Sequence, residues 1–232
     1  MMPVITMLPI EGIREIKAGD DLASILIAAW SQCGNIADGD ILCVAHKVVS
    51  KAENATRVLK EVIPGETAQQ YGARTGKDPR LVQVILDETR EVLYVGGNYI
   101  LCLDKRGLAC ANAGVDASNA SEGRVILLPT DPDRSAQSIS ERIREKTGKK
   151  VGVVICDTHG RPFRNGASGI AIGVYGLIAQ KSYIGKIDRV GRVMQSSVEA
   201  FSDELASAAT LVMGQADEGI PAVAIRGIGC SG

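Results

Sequence analysis

The order of apolar segments in this sequence predicts an α+β fold, and two observations carry that prediction. Strand-like and helix-like runs alternate irregularly. Some strand-like runs are separated only by a turn, as Val92–Val95 and Tyr99–Asp104 are by Gly96-Gly97-Asn98, where a regular doubly wound sheet would insert a helix. The composition is globular, with 45% hydrophobic and 23% charged residues, but only 3% aromatic residues, so aliphatic side chains must build the core. At 232 residues the chain has room for one large domain or two small ones. No repeat, low-complexity segment or plain linker marks a boundary.

Val4–Ile10 reads as a short strand. Asp20 or Asp21 can cap a helix over Leu22–Cys33, in which Leu22, Ile25, Leu26 and Ala29 share a face. Ile41–Ala45 has the short apolar character of a strand buried on both faces; it leads into His46-Lys47-Val48-Val49-Ser50-Lys51. Helices are predicted over Glu66–Gly76 and over Asp78–Thr89, where Pro79 suits the first turn. Val92–Val95, Tyr99–Asp104, Leu108–Ala111 and Val125–Leu128 read as strands, with Lys105-Arg106-Gly107 as a hairpin turn. Ser135–Thr147 is amphipathic, with Ile139, Ile143 and the stem of Lys146 toward the core and Gly148 as its stop. Val151–Cys156 is a buried strand. Gly169–Gly176 is a strand whose glycine spacing implies close backbone neighbours, not a membrane helix. Val198–Val212 is a helix and Ala222–Ile225 a last strand.

A net charge of −1 argues against a broad nucleic-acid surface. Six cysteines without a Cys-x-x-Cys pair, and two histidines, argue against a conventional zinc site. Cys43, Cys102 and Cys156 lie in apolar runs and are expected to be buried. No signal peptide or bilayer-spanning stretch is recognised, so no membrane role and a cytoplasmic location are expected.

Two stretches carry chemistry. In Val151–Gly169, Asp157 and Thr158 are expected at a strand's exit, where oxygen-bearing side chains can hold a divalent cation or cap the next element. They are followed by a polar loop in which His159, Arg161 and Arg164 are interleaved with glycines, a composition suited to phosphate or carboxylate ligands. In Leu108–Asn119, Asn112, Asp116, Ser118 and Asn119 crowd around Gly114. Such oxygens suit Mg²⁺ or Mn²⁺, although the same residues also make ordinary turns. Lys51, just beyond a buried strand, can reach a phosphate as a point charge or simply be solvated. Together the two stretches favour a metal–phosphate site. No Walker-type phosphate loop is present.

These segments together resemble the coenzyme F420-0:L-glutamate ligase (F420 γ-glutamyl ligase) family, over nearly the whole chain. The resemblance is carried by Val49-Ser50-Lys51-Ala52-Glu53, Asn112-Ala113-Gly114-Val115-Asp116-Ala117-Ser118-Asn119, Asp157-Thr158-x-Gly160-Arg161-Pro162-Phe163-Arg164 and Met213–Pro221, with Pro9–Gly12 before them. It implies a two-domain α+β fold in an intertwined homodimer, with no fused flavin-binding domain. It also implies a GTP-dependent ligase using Mg²⁺ or Mn²⁺, with help from K⁺, that joins L-glutamate to F420-0 and then adds a second, γ-linked glutamate.

By the same resemblance Asp116 and Asp157 are catalytic and metal-binding, and Thr158 and Gln215 are further metal ligands. Ile13, Arg14, Glu15, Ile16, His46, Lys47, Lys51 and Asn119 match nucleotide contacts. So do Met213, Gly214, Gln215, Ala216, Asp217, Glu218, Gly219 and Ile220. Gln215 stands where a metal-binding Glu is usual, and His46-Lys47 replaces small hydroxyl residues. Charge and position, independently of the family, suggest Arg161 and Arg164 for substrate anions. A metal-dependent phosphohydrolase and a non-catalytic nucleotide-binding module are the competing readings of the same residues.

Overall fold

A computed structural model of the chain describes residues 4–228; Cys230 lies outside them. In chain order the elements are β1 (Thr6–Pro9), α1 (Leu22–Cys33), β2 (Ile41–Ala45), α2 (His46–Ala52), β3 (Thr56–Val58), α3 (Glu66–Thr75), α4 (Pro79–Asp87), β4 (Thr89–Gly96), β5 (Tyr99–Asp104), β6 (Ala109–Ala111), β7 (Arg124–Ile126), α5 (Pro132–Thr147), β8 (Gly152–Arg161), β9 (Arg164–Tyr175), β10 (Lys181–Ser182), β11 (Val198–Glu199), α6 (Phe201–Met213) and β12 (Ala222–Arg226). This is the mixed α+β class.

The main sheet has the order β1-β12-β2-β8-β9. β2 and β8 run parallel, and the other neighbours are antiparallel. Its central strands are buried on both faces, which explains their unbroken apolar runs. Leu42, Val44, Val153, Ile155, Ala222 and Ala224 face one core with Leu26 and Trp30 of α1 and Ile139 and Ile143 of α5. Ile41, Cys43, Val154, Cys156, Val223 and Ile225 face a second core with Phe201, Leu205 and Ala209 of α6. The period-two alternation of strand side chains sorts the residues between the two cores. A third cluster joins α3 and α4 to β4–β6, through Ala68, Val82, Ile85, Val95, Ile100 and Cys102.

The helix over Leu22–Cys33 and the strands Ile41–Ala45 and Tyr99–Asp104 lie where their patterns predict them. Asp21 is the N-cap of α1, accepting a hydrogen bond from Ser24 N at 3.0 Å. Cys43, Cys102 and Cys156 are buried. Gly169 is also buried, and a Cβ there would stand 2.6 Å from the Ala206 carbonyl oxygen of α6, the close backbone neighbour implied by its spacing.

Other elements differ. The strand expected to stop at Cys156 continues to Arg161, because β9 pairs with it along this length, Asp157 opposite Ile170 and Thr158 opposite Gly169. Asp157 and Thr158 therefore sit within a strand, and the expected polar loop is the end of a long β-hairpin. His46–Ala52 is a helix entered directly from β2. Val198 and Glu199 leave the expected long helix to pair with β10. The Lys146 side chain is 37% exposed, and its amine reaches Ser24 Oγ of α1.

Candidate functional site

The site begins where two parallel strands end their pairing. Ala45 of β2 lies opposite Cys156 of β8, so the next residues, His46 and Asp157, are brought side by side. Ligands of open α/β sheets commonly bind at the carboxyl ends of parallel strands. From His46 the chain turns at once into α2. Lys47 and Lys51, four residues apart, project from one face of that helix, and both line a cleft of about 650 Å³.

Five segments distant in sequence converge on the cleft: residues 13–16, 45–51, 119–121, 156–158 and 213–221. All the residues of the first and last groups assigned by resemblance line it, with His46, Lys47, Lys51, Asn119, Asp157 and Thr158. Asp116 is not on the lining itself but is joined to it by Lys47, whose Nζ is 2.6 Å from Asp116 Oδ2. Ser118 donates to the same carboxylate from its backbone N–H at 2.7 Å and its hydroxyl at 2.8 Å, so the turn chemistry read from the sequence is realised at this residue too. Burial alone would raise the Asp116 pKa. Lys47 and Ser118 outweigh it, and the carboxyl is held below the usual range.

Lys51 Nζ contacts Glu15 Oε1 at 2.6 Å. Arg14 forks onto both Asp20 oxygens at 2.7 and 2.8 Å. The cations of the cleft are thus matched by acids around its rim.

Asp157 is the most enclosed acid of those at the cleft. Its side chain is 13% exposed. Oδ1 accepts from Thr158 N at 2.7 Å and lies 3.3 Å from His46 Nε2, while Oδ2 lies 2.8 Å from His159 Nε2. Burial pushes its pKa up, but the contacts from His159 and His46 prevail and hold it well below the usual carboxylate range. The neighbouring Thr158 hydroxyl donates to Gln215 Oε1 at 3.2 Å. Residues 157, 158 and 215 therefore gather a carboxylate, a hydroxyl and an amide oxygen.

That donor set fits a hard divalent cation, which prefers oxygen ligands. Among the described residues no group of three or more His, Cys, Asp or Glu side chains is placed to hold a metal by itself. Mg²⁺ commonly binds through one or two carboxylates and completes its shell with water and phosphate oxygens, so the two findings are compatible.

The loop after α6 is shaped by Gly214, at φ +71°, whose missing Cβ leaves room for the Glu218 carboxyl group. Glu218 Oε2 accepts from Ala216 N at 2.8 Å. This backbone contact is the main reason that the Glu218 carboxyl is held below its ordinary range.

Arg161 and Arg164 are brought together as the last pair of the β8–β9 hairpin, at its exposed end. They do not line the cleft. His159 reads from the sequence only as one cation of a polar loop, not as a partner of Asp157. Its signal was its distance of two from Asp157, which puts both on the same side of a strand, but a predicted loop hid that period. Ser50, one helical turn from His46, is named in the sequence only as part of the Val49–Glu53 stretch, with no role of its own.

A cleft in which two lysines and several acid and amide oxygens converge on an α+β scaffold defines a class of proteins suited to an anionic ligand accompanied by a hard cation. The model of the F420-0:gamma-glutamyl ligase family matches residues 12–227, and the chain belongs to that family. It is 47% identical over 227 residues to a coenzyme F420:L-glutamate ligase of Methanopyrus kandleri, covering 98% of this chain and 88% of the relative. A ligase of the same name from Archaeoglobus fulgidus is 46% identical over 228 residues, covering 98% and 90% respectively. Another, from Methanocaldococcus jannaschii, is 50% identical over 212 residues, covering 91% and 83%. No helix among the described residues is long and apolar enough to cross a membrane.

Proposed function

We propose that this protein is a GTP-dependent ligase that joins L-glutamate to coenzyme F420-0 and then adds a second glutamate in γ-linkage. The observation that carries this reading is the convergence of the five segments on one cleft, in a chain of this ligase family. The nucleotide would lie along residues 13–16, α2, Asn119 and the 213–220 loop. Lys47 and Lys51 would exchange their carboxylate partners for phosphate oxygens.

Asp116, Asp157, Thr158 and Gln215 would hold Mg²⁺ or Mn²⁺, with K⁺ as a possible helper ion. A divalent cation in such a site neutralises the charge that develops on transferring phosphate. In the proposed reaction a carboxylate oxygen of F420-0 attacks the γ-phosphorus of GTP, the bond to GDP breaks, and an acyl phosphate forms. The amine of glutamate then attacks the acyl carbon; phosphate leaves, the amine loses a proton, and an amide remains. The role of Arg161 and Arg164 in holding substrate anions rests on their charge and exposure. A homodimer, and subdomains built on the main sheet and on the α3–α4 cluster, belong to the same reading.

Isotopic labelling tests the chemistry. With ¹⁸O in the acceptor carboxylate of F420-0, the released phosphate should carry label, GDP formation should depend on F420-0, and its sustained release should depend on glutamate as well. Unlabelled phosphate with GDP release independent of either substrate would indicate a phosphohydrolase instead. Nucleotide binding without turnover would indicate a binding module.

A further inference from the structure

His46 and His159 approach the same carboxylate from opposite ends. His46 Nε2 is 3.3 Å from Asp157 Oδ1, and His159 Nε2 is 2.8 Å from Oδ2. Both imidazoles are largely enclosed, with side chains 4% and 12% exposed. Their positions follow from the fold. His46 is the first residue of α2, beside Asp157 across the parallel β2–β8 pair; His159 is two residues further along β8. On the far side of the His46 ring, Nδ1 lies 3.5 Å from the Oγ of fully buried Ser50.

A neutral imidazole has one N–H donor and one acceptor nitrogen. In the tautomer that carries its hydrogen on Nε2, toward Asp157 Oδ1 at 3.3 Å, Nδ1 of His46 is the acceptor, and the Ser50 hydroxyl is placed to donate to it. Rotation of Asp157 about its side-chain bonds would break contacts on both oxygens at once. Carboxylates that bind metals are commonly oriented by such outer partners, and removing those partners typically costs 10–100-fold in metal affinity.

We propose that His46 and His159 are a pair of positioning residues that clamp the two Asp157 oxygens and aim the carboxylate at a divalent cation, with Ser50 fixing the His46 tautomer. This rests on the reading of Asp157 as a metal ligand. In this assignment the His46 side chain acts through Asp157 rather than on the nucleotide. It also gives a role to His159, which does not line the cleft.

The test uses the full chain and Mn²⁺ alone, without nucleotide, with bound metal measured by electron paramagnetic resonance. His46→Leu and His159→Leu should each raise the Mn²⁺ Kd by about 10–100-fold. His46→Gln and His159→Gln, whose amide N–H can reach where Nε2–H reached, should stay within about threefold of the parent, a small loss on the same scale. Folded leucine variants with unchanged Kd would overturn the proposal. If the leucine variants do not fold, ¹⁵N spectra of the parent's imidazoles decide. Nε2–H tautomers on both rings support the clamp, and an Nδ1–H tautomer on either contradicts it. Asp157→Asn separates the two ideas: loss of Mn²⁺ binding in it, with unchanged binding in both leucine variants, rejects the clamp alone, whereas unchanged binding in Asp157→Asn rejects Asp157 as a ligand.

Discussion

Lys47 Nζ sits 2.6 Å from Asp116 Oδ2 and 2.5 Å from Ser118 Oγ, so a cation from α2 already occupies a carboxylate that the proposed site gives to a metal. Lysine and metal compete for that oxygen until a phosphate offers the lysine another partner. Metal and nucleotide are therefore expected to favour each other's binding.

Lys47→Met separates the two effects. Without nucleotide, the variant should bind Mn²⁺ more tightly by up to about fivefold, since a partly exposed ion pair is worth roughly 1 kcal/mol or less. GTP binding in the presence of Mn²⁺ should weaken by about 1–3 kcal/mol, the range for a lost charge-assisted contact. Calorimetric titrations of both ligands check the two signs. Weaker Mn²⁺ binding in the nucleotide-free variant would contradict the competition.

Asp20, bound to Arg14 of the cleft, gives a pH prediction. The Arg14 fork is the main cause, and the Lys17 N–H a second, that holds its carboxyl at about 2. A carboxyl depressed by folding contributes stability that is complete above its unfolded pKa of about 3.9. That contribution declines as pH falls and is gone below the folded value. Carboxyl ¹³C titration should place the Asp20 midpoint near 2, and Arg14→Met should move it up toward the ordinary value. An ordinary midpoint in the parent would show that the fork does not form.

Gly169 is confined by packing rather than by backbone angle. It pairs with Thr158 across the hairpin, and an added methyl would press on the Ala206 carbonyl and on Thr210 Oγ1 at 2.7 Å. Gly169→Ala should destabilise the fold by about 1–3 kcal/mol, as overpacking does. It should also weaken Mn²⁺ binding, because α6 carries the loop that holds Gln215 opposite Thr158. Urea unfolding and metal titration are the measurements; unchanged stability would mean that α6 yields freely.

Gln215 contributes an amide oxygen where a carboxylate would add charge. Gln215→Glu should lower the Mn²⁺ concentration needed for half-maximal activity, because ligand charge helps set the affinity for hard cations. Product release can slow at the same time, so affinity and rate are read separately. Superimposable Mn²⁺ titrations at fixed GTP would remove Gln215 from the metal site.

The fold was legible wherever burial imposed a period. Ile41–Ala45 is apolar throughout because both faces are covered, and Leu22–Cys33 has a helical stripe with a capping Asp21. It was not legible where a neighbour decided the outcome. Asp157–Arg161 looks like a polar turn, and only pairing with distant β9 makes it a strand. His46–Ala52 carries no side-chain N-cap; it is helical where β2 delivers it beside β8. The acids and lysines of the site could be named from their types and order. Their partners could not, since Lys47 meets Asp116 across 69 residues of sequence, and His46 meets Asp157 across 111.

The most direct test of the account is mass spectrometry of F420-0 incubated with the purified protein, GTP, Mn²⁺ and L-glutamate. The account predicts products heavier by one and then two glutamyl residues, formed with GDP and absent when Asp116→Ala or Asp157→Ala replaces the parent. Unmodified F420-0 under these conditions, with GTP bound or hydrolysed, would contradict it.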